Sequence, residues 1–164
     1  MADKPTLYLE TTIPSYLTAR PSRDVIVLAH QEITREWWER KASCYDIHVS
    51  ELVYFEVQQG DRTAAQQRFA SIGGYPVLQI TDEARELAEV YVQKIPVSRG
   101  AAADALHLAI ATLNEMEYLL TWNCRHIASG LVKRRLAEIN SGGGFLSPTI
   151  CTPEELLYEN QGVD

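Results

Sequence analysis

The sequence predicts an α/β domain, a mainly parallel sheet with helices on both faces. Three observations predict it. Short apolar runs of strand length alternate with longer amphipathic stretches of helix length. The 164 residues suit one domain, with no internal repeat and no stretch that reads as a linker. Apolar residues make up 46% and charged residues 23%, an ordinary balance for a globular chain whose core needs no disulfide or metal staple. The expectation is one domain over residues 1–164.

The elements follow in order. Thr6-Leu7-Tyr8-Leu9 is a short apolar run bounded by polar residues, hence a first strand. Pro14 suits the first turn of a short helix. Residues 24–41 carry a long amphipathic helix with Trp37 and Trp38 near its end. A second strand covers 45–49, and Ser50 is placed to cap the helix after it. A polar helix spans 62–70, and a strand spans 75–80. A helix over 82–94 has Thr81 as its cap, and a strongly apolar helix spans 101–116. A short buried strand covers 118–121 and a helix covers 131–139. Gly142-Gly143-Gly144 reads as the loop that ends it. A last strand covers 149–151. Thr152-Pro153-Glu154-Glu155 then supplies an N-cap, a first-turn proline and a capping-box glutamate.

Composition limits the function. The formal charge is −7, from 22 Asp+Glu against 15 Lys+Arg, which argues against a broad basic nucleic-acid surface. It leaves room for nucleic acid bound through metal ions at a local acidic site. Cys44, Cys124 and Cys151 lie far apart, with no zinc spacing, and read as reduced thiols. No apolar run approaches the roughly 20 residues needed to span a membrane, and the polar N-terminus lacks a signal-peptide core. A cytoplasmic protein is expected.

Most acids sit on polar helix faces. Three do not. Glu10 ends the strand Leu7-Tyr8-Leu9, Glu56 interrupts Leu52-Val53-Tyr54-Phe55, and Asp104 follows Ala101-Ala102-Ala103. A lone carboxylate in apolar surroundings is costly, and a cation offsets that cost. Three acids meeting at one place form a hard, oxygen-lined site suited to Mg²⁺ or Mn²⁺. In parallel-sheet domains ligands bind outside the carboxyl ends of the strands, where Glu10 and Asn123 both fall. Taken singly, Glu10 could cap the next helix, Glu56 could face solvent, and Asp104 could favour a helix N-terminus.

Motifs for other chemistries are missing. There is no P-loop, no dinucleotide fingerprint, no nucleophile elbow and no His-Glu-x-x-His. His107 lies three residues after Asp104 on the same helix face, placed for substrate, for a bound water or for a structural role. Arg125 and His126 follow Asn123 and could contact phosphate or line a polar loop. Trp37 and Trp38 could stack bases or pack helices.

These segments, in this order, resemble the PIN domain family, in particular VapC-like toxins of toxin–antitoxin pairs. They are Leu7-Tyr8-Leu9-Glu10-Thr11-Thr12, Val49 through Val57, Ala103-Asp104-Ala105-Leu106-His107-Leu108-Ala109, and Leu119 through Ile127. The resemblance covers nearly the whole chain. It implies a three-layer α/β/α domain with a parallel sheet and metal-dependent ribonuclease activity. By position, Glu10, Glu56 and Asp104 match the metal-binding acids and Asn123 the fourth catalytic position. Thr12 and Thr121 match the hydroxyl residues beside the first acid and the fourth position. Glu51 reads as a favourable charge at a helix start, not a ligand. The chain departs from the family at Glu10, where Asp is usual, and Asn123 adds no charge.

The resulting expectation is a Mg²⁺- or Mn²⁺-dependent endoribonuclease acting on single-stranded or looped RNA. Glu10, Glu56 and Asp104 would hold the metal, which activates water, with Asn123 assisting. Thr12, Thr121, Arg125 and His107 would line the substrate side, and Arg99 beside Gly100 could position phosphate. A small antitoxin and a homodimer are the partners the resemblance implies. The alternative is a catalytically silent PIN-like binding or assembly module, which Glu10 in place of Asp favours. A flavodoxin-like phosphate binder is disfavoured, because Glu10-Thr11-Thr12-Ile13-Pro14 puts negative charge where its phosphate loop would lie.

Overall fold

The computed structural model describes residues 3–96 and 101–159. The chain order is β1 (Thr6–Leu9), α1 (Thr12–Thr18), α2 (Val25–Arg40), β2 (Asp46–Ser50), α3 (Glu51–Val57), α4 (Arg62–Ser71) and β3 (Val77–Leu78). It continues with α5 (Asp82–Lys94), α6 (Ala102–Leu113), β4 (Tyr118–Leu120), α7 (Gly130–Gly143), β5 (Thr149–Cys151) and α8 (Pro153–Tyr158). The strands form one sheet in the order β3-β2-β1-β4-β5, and every pairing is parallel. Leu7 faces Ile47 on one side and Tyr118 on the other, and Leu119 faces Ile150. With this strand order, the right-handed rule for parallel crossovers assigns α1 to α4 to one face and α5 to α7 to the other. α8 packs on α2, and α5 packs on α6.

Both faces of the sheet are covered, so β1 and β4 are apolar along most of their length, while β2 alternates as Asp46-Ile47-His48-Val49-Ser50. Leu7, Tyr8, Leu9, Val49, Leu119 and Leu120 are fully buried. Local chemistry starts the helices. Asp24 accepts from Ile26 and Val27 N–H, Ser50 from Val53, Thr81 from Ala84, and Thr152 forms the expected capping box with Glu155. Trp37 is sealed in the core beside Tyr45, and Trp38 stands edge-on to Tyr75, which is the packing role.

Two elements are shorter than the sequence predicts. The strand expected over 75–80 pairs only at Val77–Leu78. Pro76 has no N–H to give the ladder, and the Ile80 N–H is taken by the Glu51 carboxylate at 3.0 Å. The helix expected over 101–116 ends at Leu113. There Glu115 turns left-handed at φ 53°, and the Met116 N–H closes back on the Ala111 carbonyl at 3.0 Å.

At the end of α7 the glycines differ in kind. Gly144 is the left-handed C-cap at φ 78°, with open space where a Cβ would go. Its cost on substitution is therefore backbone strain alone. Gly144→Ala should lower the unfolding free energy by about 1 kcal/mol, while Gly142→Ala, inside the helix, should raise it by a few tenths up to about 1 kcal/mol. Urea midpoints moving in opposite directions would show this, and a shared direction would refute it.

Candidate active site

β1 lies between β2 and β4, and the chain leaves it first toward β2 and later returns beside it as β4. The crevice beyond the carboxyl ends of β1 and β4 is thus the switch point, the place where such sheets bind ligands. Glu10 steps off β1 into it, with its N–H on the Leu120 carbonyl at 3.1 Å. Its side chain is 4% exposed. One oxygen, Oε2, accepts from the Thr12 N–H at 3.0 Å, from the Thr12 hydroxyl and from the Thr121 hydroxyl at 2.8 Å.

The two threonines stitch the crevice together. Thr12 Oγ1 also accepts the Trp122 N–H at 2.8 Å, and Thr121 Oγ1 accepts the Asn123 N–H at 2.9 Å. Their protons go to Glu10, so both act on the carboxylate. Among the described residues, Glu10 Oε1 accepts no hydrogen bond. It is not sealed either: the one sealed, unpartnered side-chain polar atom there is Trp37 Nε1. Glu10 therefore has one pinned oxygen and one that opens on the crevice. Its bond to the Thr12 N–H also makes it a partner of the first residue of α1.

Glu56, on the short helix α3, repeats the pattern. Its Oε1 accepts from the Thr11 hydroxyl at 2.7 Å and from His107 Nε2 at 2.5 Å, and Oε2 takes no hydrogen bond among the described residues. Burial pushes the Glu56 pKa up, but the interactions with His107 and the Thr11 hydroxyl hold it below the ordinary glutamate value. A folded pKa below the unfolded one gives stability that is complete above the ordinary glutamate range. That stability is lost as pH falls through the depressed value. The urea midpoint of Glu56→Gln should therefore fall less steeply than wild type on the acid side. Parallel acid limbs would refute this.

Asp104 lies in the first turn of α6. Its Oδ1 accepts from Asn123 Nδ2 at 3.0 Å, and its Oδ2 lies 3.0 Å from His126 Nδ1. Asn123 Oδ1 accepts the His126 N–H at 3.0 Å, so Asn123 clamps Asp104 to the loop after β4. Arg125 is exposed on that loop. His107 is 1% exposed, with its nitrogens on Glu56 and on the Tyr8 hydroxyl. Arg99 and Gly100 lie outside the described residues.

The donor set is hard oxygen, which suits Mg²⁺ or Mn²⁺. Two glutamates with one oxygen pinned and one open fit such a cation. Mg²⁺ characteristically keeps several waters and takes only one or two carboxylates from the protein. Among the described residues no group of three or more His, Cys, Asp and Glu side chains is gathered to hold an ion directly. Each acid is held by protein groups: Thr12 and Thr121 hold Glu10, Thr11 and His107 hold Glu56, and Asn123 and His126 hold Asp104. Neither Cys124 nor Cys151 is an activated thiol. Burial pushes Cys151 up to about 12 and Cys124 upward too. No helix of the described residues is long and apolar enough to cross a membrane.

Thr11, Tyr8 and Ser50 were not legible as site residues. Their partners are remote in sequence, and only the adjacency of Thr11 to the Glu10-x-Thr12 segment was a signal.

No family model and no curated protein matches the sequence. Solved structures match in shape. A toxin–antitoxin complex from Klebsiella pneumoniae superposes with a TM-score of 0.58 at 16% identity, over 90% of this chain and 98% of that one. VapC20 of Mycobacterium tuberculosis, a Sarcin-Ricin loop cleaving toxin, gives 0.59 at 15% identity, over 76% of this chain and 95% of that one. VapBC2 from Rickettsia felis, bound to a DNA fragment from their promoter, gives 0.56 at 15% identity, over 90% and 98%. What is shared at such identity is the fold. The chain has the three-layer α/β/α PIN-type fold of VapC toxins.

Proposed function

We propose that this PIN-type chain is a metal-dependent endoribonuclease and the toxin of a toxin–antitoxin pair. One observation carries the reading. At the switch point of the sheet, Glu10 and Glu56 each have one carboxylate oxygen without a hydrogen bond among the described residues while protein donors hold the other, and Asp104 stands beside Asn123 at the same crevice. Glu10, Glu56 and Asp104 would hold the ion, Mg²⁺ or Mn²⁺. When bound, the ion supplies an activated water and neutralises charge on the scissile phosphate. The protein's own part is orientation. Thr12, Thr121, Thr11 and His107 fix the carboxylates, and Arg125 is exposed on the loop after β4 to meet the RNA backbone. The net charge of −7 makes RNA attraction by the rest of the surface weak.

The partners of this reading are RNA, a small antitoxin and a second copy of the chain. The Klebsiella and Rickettsia structures, both toxin–antitoxin assemblies, support the antitoxin. A second reading, a silent binding module, is favoured by one observation: both oxygens of Asp104 already have protein partners. Purified protein stripped with a chelator and assayed on single-stranded RNA separates the two. The nuclease reading expects no cleavage until Mg²⁺ or Mn²⁺ is restored. Cleavage that ignores the chelator, or no cleavage and no heat of metal binding, would defeat it.

A further inference from the structure

We infer that Tyr8 and His107 form a buried positioning device that holds one carboxylate oxygen of Glu56 so that the other is left to the crevice. The inference rests on the metal-binding reading of Glu56. Four side chains form a chain of contacts. Ser50 Oγ lies 2.8 Å from the Tyr8 hydroxyl, which lies 2.6 Å from His107 Nδ1, and His107 Nε2 lies 2.5 Å from Glu56 Oε1. Ser50, Tyr8 and His107 are all buried.

Proton counting orients the chain. Ser50 Oγ already accepts the Val53 N–H as the cap of α3, so its own proton needs an acceptor, and the Tyr8 oxygen is the one in reach. Burial pushes the Tyr8 pKa far above its usual value, so the phenol stays a neutral donor. Its proton then goes to His107 Nδ1. With Nδ1 accepting, the ring hydrogen sits on Nε2, and that N–H meets Glu56 Oε1. The opposite orientation strands the Ser50 proton in a buried site.

The chain closes on itself through α3. It begins at the cap of that helix and ends at a carboxylate near the other end of the same helix. α3 runs only from Glu51 to Val57. Pinning Oε1 by Thr11 and His107 leaves Oε2 as the ligand-facing atom. An otherwise apolar stretch of α6, from Ala105 to Ala111, carries this one polar ring. A leucine would fill the space without the cost of burying imidazole. Tyr8 and His107 are thus positioning residues.

The test has two parts. Nitrogen NMR of histidine-labelled wild-type protein at neutral pH reads the His107 tautomer directly, and needs no variant. A protonated Nε2 and bare Nδ1 are expected, and the reverse overturns the inference. Calorimetric Mn²⁺ titration then compares His107→Gln with His107→Asn. Glutamine puts an amide N–H where Nε2 stood, facing Glu56; asparagine can serve only Tyr8. His107→Asn should weaken Mn²⁺ binding by about 10–100-fold and lower kcat at little changed KM, with His107→Gln recovering most of both. Equal values for the two variants, or unchanged Mn²⁺ affinity in His107→Asn, overturn the inference. Wild-type protein that neither binds Mn²⁺ nor cleaves RNA overturns the functional reading before any variant is compared. It also removes the metal-facing role of Oε2, and the tautomer result then judges the hydrogen-bond orientation alone.

Discussion

Glu10→Gln should remove metal-dependent RNA cleavage, by about a thousandfold or more, while the protein stays folded. The size follows from the role. A bound divalent ion supplies several kcal/mol of charge stabilisation at the transition state, and each 1.36 kcal/mol is a factor of ten in rate. On the proposed reading Glu10 would be one of the carboxylates that anchor the ion, and losing its charge would forfeit most of that. Folding survives because the glutamine carbonyl can still accept from Thr12 and Thr121, the two residues that hold Oε2. Single-turnover cleavage of a labelled RNA in saturating Mn²⁺ reads the loss, and circular dichroism confirms the fold. A variant within tenfold of wild type would mean that Glu10 is a structural partner of the threonines and nothing more. Glu56→Gln and Asp104→Asn should behave alike, and their losses should fall short of adding, because the three acids would serve one ion.

Leu119→Ala has the largest expected effect on stability. Leu119 is fully buried at the centre of the sheet, between Tyr8 of β1 and Ile150 of β5. Helices cover both faces there, so the emptied volume has nothing mobile to collapse into it. The expected cost is about 3 kcal/mol, a fall in melting temperature of roughly 10 °C for a chain of this size. The urea slope should stay unchanged. Val25→Ala is the control: Val25 is 79% exposed at the start of α2, and its removal should cost under about 0.5 kcal/mol. Similar losses at the two positions would mean that the centre of the sheet is not the core.

The fold was legible wherever the cause is local. Thr6-Leu7-Tyr8-Leu9 reads as a buried strand because parallel strands show apolar residues on both faces. Ser50, Thr81 and Thr152 read as caps because each accepts from a backbone N–H three residues on. The length of β3 and the end of α6 were not legible. The first depends on Glu51 reaching across to the Ile80 N–H, and the second on a left-handed turn at Glu115, a residue with no preference for one.

The site divides the same way. By itself the sequence determined which acids stand out of place, Glu10, Glu56 and Asp104, since a carboxylate interrupting an apolar run is visible without coordinates. It also placed Glu10 and Asn123 at the carboxyl ends of strands. Only the tertiary structure decided what holds each acid. Thr11 meets Glu56 across 45 positions, Tyr8 meets His107 across 99, and Thr121 meets Glu10 across 111. Periodicity and capping act within a turn or two, so they reveal elements and their ends. Hydrogen bonds that fix one oxygen of a carboxylate and leave the other open depend on where separate elements pack, and packing is settled only when the whole core closes.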